Sequence, residues 1–195
     1  MAGEIASAWH EPSVTQPGGR PPAPGELALV QAFINSHFDL EFTWGADLLA
    51  TPRSLARWLE RRALLAAGRE LTRHDVRRAI ALREGLRELA RGSPTALNHA
   101  ASGIPVELRF TAAEPHLVAG AASGLDHALA VILSVTASAM IDGSWTRLKV
   151  CPGEHCGWAF YDSSRNRSGR WCSMSVCGGR AKARAHYRRR HAGAD

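Results

Sequence analysis

The first 25 residues hold no Lys/Arg cluster followed by an apolar core; they carry five prolines and four glycines instead. They therefore lack the make-up of a secretory signal and are expected to form a disordered tail. The longest apolar run, Ala128 to Ile141, is too short for the roughly 20 residues that a bilayer demands. It follows directly on Asp126 and His127, so a buried helix is expected there, with no membrane partner. Neither common glycine-rich phosphate loop occurs. Ser36, His37 and Asp39 are the residue types of a hydrolase triad, but neighbours at one helix end cannot converge on a substrate. His74-Asp75 fits a helix cap better than a general base, and His99, His116 and His127 stand apart without ligand spacing. No enzyme is expected, and the location expected is cytoplasmic.

Cysteine is as scarce. There are four in 195 residues, and all fall between positions 151 and 177. Charge is concentrated in the same quarter. Residues 145–191 hold 11 Lys/Arg against 2 Asp/Glu, a net +9, whereas residues 1–144 hold 13 against 15, a net −2. A near-neutral body with a basic appendage is the layout of a protein that meets nucleic acid, although a solvated basic tail has the same composition.

The body reads as mostly helical. Residues 26–38 place Leu27, Val30, Ile34 and Phe38 at helical spacing. Thr51-Pro52 is a hydroxyl cap followed by proline at the first helical position. The helix after it faces inward with Leu55, Trp58 and Leu59 and outward with Arg53, Arg57, Arg61 and Arg62. Thr72-Arg-His-Asp75 resembles a capping box for a helix whose buried stripe is Val76, Ala79, Leu82, Leu86 and Leu89. A short helix is expected at 95–101. Val106 to Phe110 alternates like a half-buried strand, with His116 to Ala119 as its hairpin partner. Residues 122–141 form the central helix. Trp44, Trp58, Phe33 and Phe38 are candidates for a ligand pocket in this body, ordinary core aromatics being the plainer reading of each.

The cysteines form two pairs, Cys151/Cys156 and Cys172/Cys177, each with four residues between its members and followed by glycine. Two close pairs joined by a loop are what a tetrahedral zinc ion needs, and four thiolates leave no position for a catalytic water. One structural Zn2+ is therefore expected. A reducing compartment argues against disulfides; a site of three cysteines with His155 or His186 is the nearest rival. Trp158, Phe160 and Tyr161 between the pairs can supply the small core that the metal completes. Two basic clusters flank the ligands: Arg165, Arg167 and Arg170 between the pairs, and Arg180, Lys182, Arg184, Arg188, Arg189 and Arg190 after them. Arg180, Arg184 and Arg188 recur every four residues and share a helix face, while Ala181 and Ala185 share another suited to packing on the finger.

The run Cys172-Ser-Met-Ser-Val-Cys177-Gly-Gly-Arg180-Ala-Lys182, preceded by Asp162-Ser-Ser-Arg165-Asn166-Arg167 and Arg170-Trp171, resembles the CGNR zinc finger, with Gly179 where the signature has asparagine. That family joins the finger to an N-terminal helical ABATE domain, whose start resembles Leu27-Ala-Leu-x-x-x-Phe-Ile-Asn35 and the segment Arg53 to Leu65. Residue pattern and resemblance together give an α+β chain: a disordered tail at 1–25, read from its composition, a predominantly helical ABATE-like body with a small β element at 26–144, and a four-cysteine, treble-clef-like finger at 145–191. The resemblance implies a stress-related bacterial transcriptional regulator that binds DNA through the basic residues above, with a small-molecule effector for the helical domain. The alternative is a zinc-stabilised adaptor that binds protein, or RNA without sequence preference.

Overall fold

The computed structural model describes residues 16–38 and 47–191. Six α-helices occur among them: α1 (Leu27–Ile34), α2 (Pro52–Glu60), α3 (Arg73–Leu89), α4 (Thr95–Ala101), α5 (Gly124–Ile141) and α6 (Gly179–His191). Two antiparallel hairpins complete them, β1 (Val106–Phe110) with β2 (Pro115–Ala119) and β3 (Leu148–Val150) with β4 (Ala159–Tyr161). The predominantly helical α+β class expected from the sequence is the one observed.

Local chemistry sets the helix starts. Thr51 accepts from the Ser54 amide at 3.1 Å and Ser54 Oγ accepts from the Thr51 amide at 3.0 Å, with Pro52 at the first helical position. Thr72 and Asp75 make the same reciprocal pair ahead of α3. Val76, Ala79, Leu82 and Leu86 of α3 are buried, and Leu89 partly so. Gly85 lets α4 cross close: a Cβ there would lie 2.7 Å from Leu97 Cα and 2.9 Å from Leu97 N, so no other residue fits without moving α4. The central helix α5 buries nine residues, from Leu125 to Ala139. By length and composition it could cross a membrane, but half of it is buried inside the body.

The structure corrects three expectations. Residues 16–25 belong to no loose tail; residues 1–15 lie outside the described residues. Pro17–Gly19 forms a short 3-10 turn, Ala23 is buried, and the Ala23 amide donates to Gln31 Oε1 at 2.7 Å. This segment is a strap across the C-terminal part of the chain, considered below. Strand β1 is not half-buried: all five of its residues are exposed, because β2 is the strand that packs most closely on α5. Arg62 does not face water. It is buried, its guanidinium lying 3.8 Å from the Trp58 ring centroid and donating to the Trp58 carbonyl at 3.1 Å.

Two further arginines on α3 are buried. Arg83 forms a two-pronged ion pair with Asp47 at 2.7 and 2.9 Å and donates to Glu84 at 2.8 Å. Arg87 is fully buried. It donates to Glu84 Oε2 at 2.9 Å, to the Ile34 carbonyl at 2.8 Å, to the His37 carbonyl at 2.6 Å and to the Gly157 carbonyl. The Ile34 and His37 carbonyls stand at and beyond the end of α1, where helix carbonyls lack internal partners. Arg87 thus ties α3, the end of α1 and the C-terminal part together. Arg87→Ala orphans these carbonyls and leaves Glu84 with one partner fewer, so it is expected to cost about 3–5 kcal/mol, read as a lowered denaturation midpoint.

Candidate metal centre

Strand β4 is a wall with two faces. Ala159 and Tyr161 look toward the helical body, with Leu148 and Val150 opposite them on β3, and all four pack on the body's core. Phe160, offset by one residue, looks the other way. With Trp158 and Trp171 it packs on Cys151, Cys156, Cys172 and Cys177 as a second, smaller core. Of the three aromatics expected to enclose the metal, Trp158 and Phe160 do so, while Tyr161 packs on the body.

Chain geometry brings the ligands together. Cys151 follows β3 directly, and the reversal through Gly153 carries Cys156 back to β4, with Gly157 in the left-handed region at φ 61°. The Cys151 amide donates to the Trp158 carbonyl at 2.8 Å, closing this knuckle, and the Gly153 amide donates to Cys151 Sγ at 3.4 Å. Cys172 enters after the loop, and Cys177 lies in the turn Met174–Gly178 that runs straight into α6. A hairpin knuckle plus a ligand pair at a helix start is the treble-clef arrangement expected from the sequence.

The four sulfurs lie within 4.8 Å of one another. Cys156 and Cys172 sulfurs are 3.7 Å apart, and Cys172 and Cys177 sulfurs 3.6 Å. Tetrahedral zinc with Zn–S of about 2.3 Å has sulfur–sulfur edges of about 3.8 Å, whereas a disulfide would need about 2.05 Å. The donors therefore fit zinc, and none is oxidised. The four cysteines make the set among themselves, so the variants using His155 or His186 are not needed. Hydrogen bonds from Cys156 and Cys172 hold the Cys151 thiol far below its ordinary pKa, and the same contacts push Cys156 up to about 12 and Cys172 higher still. Protons kept in so tight a cluster leave when a divalent cation replaces them. One structural zinc per chain follows.

The loop between the pairs is organised by Asp162, which is fully buried. Its carboxylate accepts from Lys149 Nζ at 2.6 Å, Ser164 Oγ at 2.7 Å, the Ser164 amide at 3.1 Å and the Gly169 amide at 2.7 Å. A Cβ on Gly169 would lie 2.7 Å from that carboxylate. Burial pushes the Asp162 carboxyl up, but these donors outweigh it and hold it well below the usual carboxylate range. Arg165, Arg167 and Arg170 stand exposed on this braced loop, Arg170 lying over the Trp171 ring at 5.2 Å.

Helix α6 seats Ala181 and Ala185 partly buried, as their spacing implied, and leaves Arg180, Lys182, Arg184, Arg188, Arg189 and Arg190 exposed. Arg184 is already paired, with Glu154 of the knuckle at 2.9 Å. Gly179 has ordinary helical backbone at φ −62°, and a Cβ there meets only the Met174 carbonyl at 3.5 Å. The glycine in place of the signature asparagine is thus not demanded by space or conformation.

The finger is anchored from both sides. Asn35 uses its whole amide on Ala159, donating to the carbonyl at 2.8 Å and accepting from the amide at 2.7 Å, while Gln31, one turn earlier, donates to the same carbonyl at 3.1 Å. On the other side the strap grips the metal core. Arg20 donates to the Cys172 and Trp171 carbonyls at 3.0 and 3.2 Å and lies 4.9 Å from the Phe160 ring centroid, and Gln16 accepts from the Trp158 indole at 3.1 Å. Sequence reasoning missed these residues. The available signal was two amides, Gln31 and Asn35, set one helical turn apart in an otherwise apolar run. Of the aromatics proposed for a ligand pocket, Phe33 and Trp58 pack together in the core at 5.5 Å, Phe38 packs edge-on to Trp158 at 4.8 Å, and Trp44 lies outside the described residues.

Two measurements test the centre. Metal analysis should give about one zinc per chain, and Cys172→Ser should lose it together with the fold of the C-terminal part. Asp162→Asn should cost about 2 kcal/mol at pH 7 in denaturant titrations. Because the folded Asp162 pKa is depressed, its contribution is present above the unfolded value near 4 and is lost as pH falls below that value toward the folded one. The gap between wild type and variant should therefore hold from pH 7 to 5 and narrow below about 4.

With this geometry in hand, comparison with known proteins gives two family matches. The CGNR zinc finger model matches residues 147–190. The ABATE model, described as "Putative stress-induced transcription regulator", matches residues 27–143, more than half of the chain. No curated protein matches. The chain belongs to the ABATE family and carries a CGNR zinc finger.

Proposed function

Starting from membership in a family of transcription regulators, we propose that the protein binds DNA through its zinc finger, with α6 and the 162–170 loop contacting the duplex. The observation that carries this reading is the division of α6: Ala181 and Ala185 are partly buried, while Arg180, Lys182, Arg184, Arg188, Arg189 and Arg190 are exposed. Phosphate contacts supply affinity to any sequence, and arginines on a helix of this width reach guanine edges in the major groove. Glu154, paired to Arg184, fixes that side chain until a phosphate competes for it. The metal's role here is to fix the ends of the loop and the start of the helix, and the protein is not an enzyme. A cavity of about 450 Å3 between the β1–β2 hairpin and α5, lined by Leu117, His127, Val131, Ser134 and Val135, supports a ligand-sensing role for the body.

The salt dependence of binding to random-sequence duplex DNA tests the reading. Fluorescence anisotropy should show log affinity falling against log salt with a slope of about −4 or steeper, and Arg180→Ala/Arg184→Ala/Arg188→Ala should flatten it by about 2–3. No binding at about 50 mM salt by zinc-loaded protein would defeat it and favour an adaptor that binds protein.

A further inference from the structure

The outer strand of the β1–β2 hairpin presents an apolar edge. Val106, Leu108 and Phe110 are 37%, 55% and 76% exposed, and among the described residues β1 pairs only with β2. Sheet edges are normally blunted by proline, a bulge or covering structure. Strand β2 carries Pro115, whereas β1 has an unbroken register and no proline within it.

The register fixes which backbone groups of β1 are free. The Thr111 amide donates to the Glu114 carbonyl at 3.0 Å and the Gly120 amide to the Pro105 carbonyl at 2.9 Å, so the odd-numbered positions form the hydrogen-bonded pairs of this antiparallel ladder. The amides and carbonyls of Glu107 and Arg109 therefore point at β2, and those of Val106, Leu108 and Phe110 point away from it.

We propose that this edge joins two copies of the chain, their β1 strands running antiparallel about a twofold axis at Leu108. In that register Leu108 meets Leu108 of the second copy and Val106 meets Phe110 of the second copy, each pair exchanging both backbone hydrogen bonds. Glu107 of one copy then stands directly opposite Arg109 of the other, twice by symmetry. Both charged side chains are exposed and already close within one chain, at 3.2 Å. Sliding either way by one register step that keeps the backbone bonds sets Glu107 against Glu107, or Arg109 against Arg109. A slip of the other parity meets no free backbone groups. The sequence Val-Glu-Leu-Arg-Phe is thus complementary to itself in one alignment, and charge selects that alignment. A self-complementary edge favours a second copy over an unrelated strand. The inference is independent of DNA binding.

Sedimentation equilibrium of the full zinc-loaded chain tests it. Two five-residue strands make a small interface, so a dimer dissociating on the order of 10 μM is expected. Glu107→Arg and Arg109→Glu should each weaken the dimer at least tenfold, since each sets like charges face to face at two places. An equimolar mixture of the two variants should recover the dimer, because each like-charged edge then meets its opposite. A wild-type monomer at several hundred micromolar overturns the proposal and leaves the edge for another protein's strand. A dimer unmoved by either substitution, or variants that fail to recover on mixing, overturns it too.

Discussion

The structure turns on how one residue of β4 is held. Ala159 has both backbone groups taken by the Asn35 amide, an interaction that copies a step of sheet pairing from a helix end. An amide and a carbonyl buried at that depth cannot be left unpaired without a penalty of about 1–3 kcal/mol apiece. Asn35 therefore fixes the position and also the rotation of β4. Rotation matters because β4 has opposite duties on its two sides. With Ala159 and Tyr161 turned to the body, Phe160 has no course but the metal core. Arg87, reaching from α3 to the Gly157 carbonyl, sets the height of the strand entry beside the second zinc ligand.

Buried charge is used twice in the same manner. Arg87 and Asp162 each collect backbone groups that have no partner within a regular element: the carbonyls around the end of α1 for the first, the amides of the 162–170 loop for the second. A neutral side chain would satisfy one or two such groups. A guanidinium or a carboxylate satisfies several at once and strengthens each through its charge. The cost is desolvation, which Glu84 offsets in part for Arg87 and which Lys149 outweighs for Asp162 together with Ser164 and Gly169.

Much of this was legible in the chain because it rests on local chemistry. The ligand pairs, the Thr51 and Thr72 caps, the two alanines under α6 and the apolar α5 each show in a window of a few residues. What escaped depends on distant partners. Arg20 and Gln16 sit among prolines and glycines, a composition that reads as disorder until Trp158, Phe160 and the Cys172 carbonyl stand across from them. Arg62 reads as solvent-facing because nothing local announces the Trp58 face, and nothing local announces the ion pair of Arg83 or the ring of carbonyls around Arg87. Alternation in β1 reads as a half-buried strand; only the tertiary structure reveals that β2 packs more closely on α5 than β1 does. The reason for Gly85 inside α3 lies likewise in a distant partner, the backbone of α4 laid against it.

The double-faced β4 also bears on how such a chain can be inherited. A finger cut away at its family boundary would carry Leu148, Ala159 and Tyr161 into water as a bare apolar face, and the remaining body would be left with Asn35, Gln31 and Arg87 addressed to absent backbone. The two matched regions share one interior. They are not cassettes to be exchanged among unrelated neighbours, and a change on the strand's body side must be answered by α1 rather than by the finger alone.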